Sequence, residues 1–304
     1  MASDDILEAV AEDTLASELA RASKHSLPIG APCPNCRTAI AGPWCYACGQ
    51  RAERYDRSIW RLTEEALEGL THLDGRFWRT LPQLILKPGK LTRDYLDGHR
   101  AAEIPPFRLF LVVLLIVFFA GSWNLRTQHL NFKVAPAGSL VIADPKDAAD
   151  FKQAFAAMRT KPEGRWFADR VEIVRKDPEV LIRAMEGWSH QFAILMLPIA
   201  AALLSVLFVF KKGVYVFDHL IFSMHSLAFQ GLLLSAVFLG GLVVDWAAWF
   251  LLISPVHLFV HMRTAYGIST LGTLIRIFLL FLGSTWAFSL MMVALVFVGL
   301  ATLH

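Results

Sequence analysis

The sequence predicts an all-α membrane protein with about five transmembrane helices and an N-terminal cytosolic zinc ribbon. Three observations carry that expectation. The 304-residue chain is 55% hydrophobic and 18% charged, with a mean hydropathy of +0.47, too apolar for an ordinary soluble domain. Several apolar runs are long enough to cross a hydrocarbon layer of ~30 Å. All four cysteines fall in two CxxC pairs, Cys33-Pro34-Asn35-Cys36 and Cys45-Tyr46-Ala47-Cys48. The net charge of +3 is mild, and much of the basicity lies near apolar segments, where it sets orientation rather than binding nucleic acid.

Residues 1–32 form an acidic amphipathic stretch followed by a linker containing Ser26, Pro28, Gly30 and Pro32. That stretch lacks the basic and continuously apolar regions of a secretory signal, so no cleavage is expected there and the first membrane helix serves as the targeting signal. The ribbon occupies residues 33–50, with the spacing C-x2-C-x8-C-x2-C and Gly49 directly after the fourth cysteine. Two residues between thiolates let the backbone turn tightly enough for both sulfurs to reach one tetrahedral ion at about 2.3 Å. So short a loop has no apolar core of its own, and metal binding, worth about 10–16 kcal/mol in zinc-finger peptides, would supply its folding energy. A thioredoxin-like redox role needs a strand and helix context that Pro32, Pro34 and Pro43 do not provide, and a reducing cytosol disfavours disulfides. With Cys33, Cys36, Cys45 and Cys48 filling all four positions, the zinc is structural and the ribbon reads as a scaffold or docking surface.

Residues 51–106 are rich in charged and bulky apolar side chains. Phe77, Trp78, Leu81, Leu84 and Ile85 recur at helical spacing with Arg76, Arg79 and Lys87 around them, the pattern of a helix lying in a headgroup layer. A small soluble helical core fits the same periodicity. Pro88 and Gly89 can start a second helix that ends on Gly98 before Pro105-Pro106 turns the chain into the membrane. This elbow is one reading of the stretch. The other is a lipid-headgroup or ligand site, since Lys87, Lys90, Arg93, His99 and Arg100 cluster where anionic phospholipid would lie.

The transmembrane domain is expected over residues 107–304. Its first span is Phe107–Trp123, followed by a hydrophilic, outward-facing loop or small insert over 124–187. Further spans are expected over Gln191–Phe210, closed by Lys211-Lys212-Gly213, over 219–244, ending at Asp245-Trp246, over 246–262, stopping at Arg263, and from 271 onward. Fused or re-entrant segments could change that count by one. Pro198 and Pro255 are expected to break the second and fourth spans. Arg100 and Arg108, then Lys211-Lys212, then Arg263 and Arg276 all fall on one side of this arrangement, which is therefore cytoplasmic. The N-terminus is then cytoplasmic, and the long loop and His304 are outside.

Ionisable residues within spans are costly and so are candidate functional groups. Asp218, His219 and His225 lie on the third span, His257 and His261 on the fourth. Brought together, these stripes could relay protons or bind a metal ion. Alternatively the imidazoles only hydrogen-bond neighbouring helices, at about 1 kcal/mol each. No phosphate-cradling glycine loop, nucleophile elbow or HExxH sequence is present.

The order CPNC, WCYACGQR, a basic-aromatic helix, LKPGKLTRDYLDGHR, IPPFRLFL, DHLIFSMHSLAF and HMRTAYG resembles a bacterial inner-membrane family known as domain of unknown function 3667. The resemblance implies a cytosolic zinc ribbon on Cys33, Cys36, Cys45 and Cys48, with Arg37 standing where such ribbons often carry glycine. It also implies that Lys87, Pro88, Gly89, Tyr95, Gly98, Arg100, Pro106, His219 and His225 match the family pattern, and it carries over no activity. The leading expectation is a non-enzymatic multi-pass protein of the bacterial inner membrane whose ribbon docks a cytosolic or membrane protein partner. Membrane lipids are expected partners, nucleic acid is not, and a homo-oligomer remains open. The alternatives are a transporter or channel using the His/Asp stripes, and a metal-dependent membrane enzyme.

Overall fold

The computed structural model describes residues 26–53, 75–127, 156–157, 159–244 and 246–303. The acidic N-terminal stretch, the start of the basic-aromatic segment, much of the loop expected to face outward, Asp245 and His304 lie outside the described residues. The chain divides into two compact units. The first runs to Leu109 and takes in Val260–Gly267, and the second holds Phe110–Phe259 and Ile268–His304.

The described part of the first unit begins with the ribbon, whose ends are joined by an isolated bridge from Ser26 to Glu53 and whose two halves each close on a bridge of their own, Pro32 to Ala39 and Trp44 to Arg51. Contrary to the expectation of a coreless loop, Cys33, Cys45, Ile40 and Ala52 form a small buried cluster, with Leu27 and Cys48 packed against it. Helix α1 (Arg76–Leu86) turns Phe77, Thr80 and Leu84 inward and leaves Trp78, Ile85 and Leu86 exposed. Helix α2 (Pro88–Leu96) opens on a proline, whose missing N–H costs nothing in a first turn. It closes as the Gly98 N–H donates to Tyr95 O (3.2 Å) and the His99 N–H to Asp94 O (2.8 Å), with Gly98 at φ 92°, the left-handed turn that glycine tolerates best. The elbow that follows is fastened to α1: Ile104 N–H donates to Thr80 Oγ1 (3.1 Å) and Gln83 Nε2 to Glu103 Oε1 (2.9 Å). The first turn of α3 (Pro106–Thr127) and the end of α7 (Ile253–Tyr266) complete this unit.

In the second unit α4 (Pro162–Lys176), α5 (Pro178–Leu207), α6 (Val216–Gly240) and α8 (Thr270–Ala301) join the rest of α3 and α7. Several glycines lie at contacts between helices, as packing without a hydrophobic driving force favours. Gly231 of α6 lies against Val113 and Val117, and further along both helices Asn124 Nδ2 donates to Phe238 O (2.7 Å), so α3 and α6 run parallel. Gly283 sits against Leu203, Gly299 against Leu181 and Met185, and Arg276 Nε donates to Leu207 O (3.3 Å). Helices α5 and α8 are therefore antiparallel.

Among the described residues, four helices are long and apolar enough to cross a membrane: Pro106–Asn124, Glu179–Leu207, Val216–Gly240 and Thr270–Ala301. The second starts well before Gln191, because the end of the expected outward loop is already helical. Pro198 sits inside the 30-residue α5 without ending it, as is common where neighbouring helices and local adjustment satisfy the freed carbonyl. The segment expected as a span over 246–262 takes a different form, a 3-10 helix, Ala247–Leu252, followed by the 14-residue α7. Pro255 stands in the first turn of α7, where its missing N–H costs nothing, so it suits the start of a new helix there. These two pieces nonetheless return along α6. Gly240 faces Ala247, and His257 stacks on Phe229 with ring centroids 3.3 Å apart. End to end, the six and fourteen residues would rise about 33 Å.

Candidate functional site

The cysteine cluster is built by two copies of one backbone turn. Cys33 N–H donates to Thr38 O (2.9 Å) and Arg37 N–H to Cys33 O (2.9 Å). Cys45 N–H bonds Gln50 O (2.8 Å) and Gly49 N–H bonds Cys45 O (2.8 Å) in the same pattern. Each turn needs a left-handed residue four places after its first cysteine, and Arg37 (φ 63°) and Gly49 (φ 73°) supply it. The turns bring Cys33 Sγ to 3.7 Å from Cys48 Sγ and Cys36 Sγ to 3.5 Å from Cys45 Sγ, and all four sulfurs lie within 4.8 Å of one another. A tetrahedron of sulfurs each about 2.3 Å from one ion has edges of about 3.8 Å. The cluster therefore fits a single metal ion, with no position left for a substrate.

The thiols differ in surroundings. Cys36 is exposed, and the hydroxyl and then the backbone N–H of Thr38 lower it to about 6, whereas burial pushes Cys48 up to about 12. A bound cation would hold both as thiolates. Cys33 and Cys45 are each 1% exposed, while Ile29, Trp44 and Tyr46 stand out from the same module at 83%, 56% and 76%. Arg51 lies over the Trp44 ring at 5.5 Å.

Backbone strain gives the first test of this geometry. Gly49→Ala places a Cβ on a left-handed residue, a penalty of about 1 kcal/mol that reads as about fivefold weaker metal retention. Arg37→Gly is expected to tighten retention by less, because glycine also gains freedom in the unfolded chain. Competition of the full-length protein with a chelating dye measures both, and equal retention in wild type and Gly49→Ala would contradict the shared-turn geometry.

The intramembrane candidates are divided between the two units. His261 belongs to the first unit, where its Nε2 is 2.8 Å from Thr92 Oγ1 on α2. Asp218, His219, His225 and His257 belong to the second unit and are all buried. Asp218 Oδ2 accepts from Tyr215 N–H (3.1 Å), so this carboxylate caps α6 at the turn where an anion favours the helix dipole. The His219 ring lies 5.5 Å from the Phe208 ring. Among the described residues, only the four cysteines bring three or more ligand atoms to metal-holding distance.

The cations proposed at the headgroup layer have partners of their own. Lys90 pairs with Asp94, Arg93 with Asp97 (3.5 Å), and Arg100 Nε donates to Tyr95 O (3.0 Å) while its guanidinium lies 4.0 Å from the Tyr95 ring centroid. Lys87 is exposed.

Three residues not singled out as site residues organise the first unit. Gln50, buried beside the last cysteine, donates through Nε2 to Gly98 O (2.9 Å) and accepts at Oε1 from Arg100 N–H (3.1 Å), fastening the ribbon to the elbow. Its only signal in the sequence is its place in CGQR. Thr92 lies opposite His261, and Arg108, read only as an orienting cation, is 4% exposed.

The helices and the cysteine cluster define the class, a multi-pass α-helical membrane protein carrying a candidate metal-binding module. Residues 74–118, from α1 through the elbow into the first half of α3, match the family described as "Protein of unknown function (DUF3667)". That match supports the resemblance seen in the motifs. No curated protein and no solved structure matches the chain.

Proposed function

We propose that this is a non-enzymatic multi-pass protein of the bacterial inner membrane whose zinc-filled ribbon docks a protein partner. The observation that carries the reading is the contrast within the ribbon: its four sulfurs are closed around one point, while Ile29, Trp44 and Tyr46 are exposed beside them. Aromatic anchors of this kind dominate protein interfaces, and Arg51 over Trp44 adds a cation. The surface therefore suits a partner presenting apolar side chains.

A photo-crosslinking residue placed in turn at Trp44 and Tyr46 of the full-length protein in cells tests this. Both positions should capture the same protein, and the adduct should vanish in Cys45→Ser and in the Trp44→Ala, Tyr46→Ala pair at equal expression. Adducts confined to lipid, or different proteins from the two positions, would contradict docking.

The helix directions support five crossings, the fourth made of the 3-10 helix and α7, with the ribbon and Lys211-Lys212 cytoplasmic and the C-terminus outside. A phosphatase fused at the C-terminus should be active and one fused after Lys212 inactive, and the reverse pattern would contradict this topology.

A second reading, translocation of protons or a small solute, is favoured by the burial of Asp218, His219, Ser223 and His225 on the first turns of α6. It requires that His225→Ala or His257→Ala abolish flux in proteoliposomes while assembly stays normal. Unchanged flux in both variants would remove it.

A further inference from the structure

We infer that Arg108 seats a phosphate oxyanion at the N-terminal mouth of α3, supplied by the headgroup of an anionic phospholipid. The residue is 4% exposed, and its Nε and Nη2 are buried with no hydrogen-bond partner among the described residues. These two donors form one edge of the guanidinium fork, the edge spaced to take two oxygens of a single phosphate or carboxylate. An uncompensated buried guanidinium is strongly unfavourable, so its retention calls for an anion.

The described residues of the first unit do not supply one. Its described carboxylates are Glu53, Asp94, Asp97 and Glu103, and each is engaged elsewhere, by Arg51 (3.1 Å), Lys90, Arg93 (3.5 Å) and Gln83 (2.9 Å). Position supplies the rest of the argument. Arg108 is in the first turn of α3, two residues after Pro106, where the candidate span begins and headgroup phosphates would lie. Long side chains on a helix lean toward its N-terminus, here the end whose positive dipole already attracts an anion and repels the guanidinium. The exposed Trp78, Ile85 and Leu86 of α1 in the same unit present an apolar face suited to the same lipid layer.

The test uses the full-length protein in neutral detergent and phosphate-free buffer, with phosphatidylglycerol, phosphatidylcholine or inorganic phosphate added. Native mass spectrometry reads bound lipid and thermal unfolding reads stabilisation by each additive. Wild type should retain phosphatidylglycerol and melt later with it. Arg108→Met should lose that retention about tenfold or more, while Arg108→Lys, which keeps the charge without the fork, loses less. Without added anion, Arg108→Met should melt no earlier than wild type, because it removes an uncompensated buried charge. Lys176→Gln, on the exposed surface of α4, should retain lipid as wild type does. Stabilisation by inorganic phosphate alone, lost in Arg108→Met, would support the oxyanion site and overturn the lipid as its source. Retention that is equal in wild type, Arg108→Met and Arg108→Lys, or absent from all three, would overturn the site. Should Arg108→Met fail to fold, the comparison of wild type with Arg108→Lys decides alone.

Discussion

Cys45→Ser is expected to release the metal and unfold residues 26–53 while the helices of the second unit keep their structure. Cys45 is 1% exposed and belongs to the small cluster formed with Cys33, Ile40 and Ala52. Burying an aliphatic side chain contributes about 1.5–3 kcal/mol, whereas ordering the backbone costs about 1–2 kcal/mol for every residue. A core of this size cannot hold the ribbon, and metal ligation must supply the difference. A serine hydroxyl in place of one thiolate leaves three sulfurs and an unsatisfied buried oxygen. The clamp from Gln50 to Gly98 and Arg100 then fails with the ribbon. Hydrogen exchange on the full-length protein should show protection lost over residues 26–53 and retained in α5, α6 and α8. Protection unchanged over the ribbon would mean that metal is not what folds it.

The second large effect is expected from Gly89→Ala. A Cβ on Gly89 would lie 2.3 Å from Thr264 Cβ, 2.9 Å from Thr264 Cγ2 and 3.1 Å from His261 O. No rotamer change relieves the first or third contact, because both atoms are fixed by the α7 backbone, so α2 must move away. The intrinsic helix preference of alanine over glycine offers about 1 kcal/mol in return. Overpacking of this kind costs about 1–3 kcal/mol and occasionally more, and here it also pulls apart Thr92 Oγ1 and His261 Nε2, which are 2.8 Å apart. A net loss of about 2 kcal/mol is therefore expected by thermal unfolding. Adding Thr264→Gly should recover most of it, a coupling that a double-mutant cycle reads directly. A stabilised Gly89→Ala, or a loss that Thr264→Gly leaves untouched, would contradict this close approach.

What the sequence revealed follows from the range of the interactions involved. The ribbon was legible because two CxxC turns are local: spacing alone commits the four sulfurs to one point, and even the strained position of Arg37 is visible beside Gly49. The apolar helices were legible for a similar reason, since length and hydropathy decide what can cross a bilayer. The return segment after α6 was harder. Pro255 marks a break, but only the packing of Ala247 and His257 against α6 shows that the 3-10 helix and α7 return along that helix. Gly89 read as a helix start, and nothing nearby in the chain announces that Thr264 presses on it. Asp218 illustrates the reverse error of emphasis, because a carboxylate in an apolar stretch suggested a polar stripe and it also caps α6. Arg108 was read for its charge alone, since burial is set by residues far away in sequence.

The most direct test of the central claim is elemental analysis of the detergent-purified full-length protein. One zinc per chain is expected in wild type and in the His225→Ala, His257→Ala variant, and none in Cys45→Ser. A folded wild type without metal, or zinc retained by Cys45→Ser, would contradict a four-cysteine metal module.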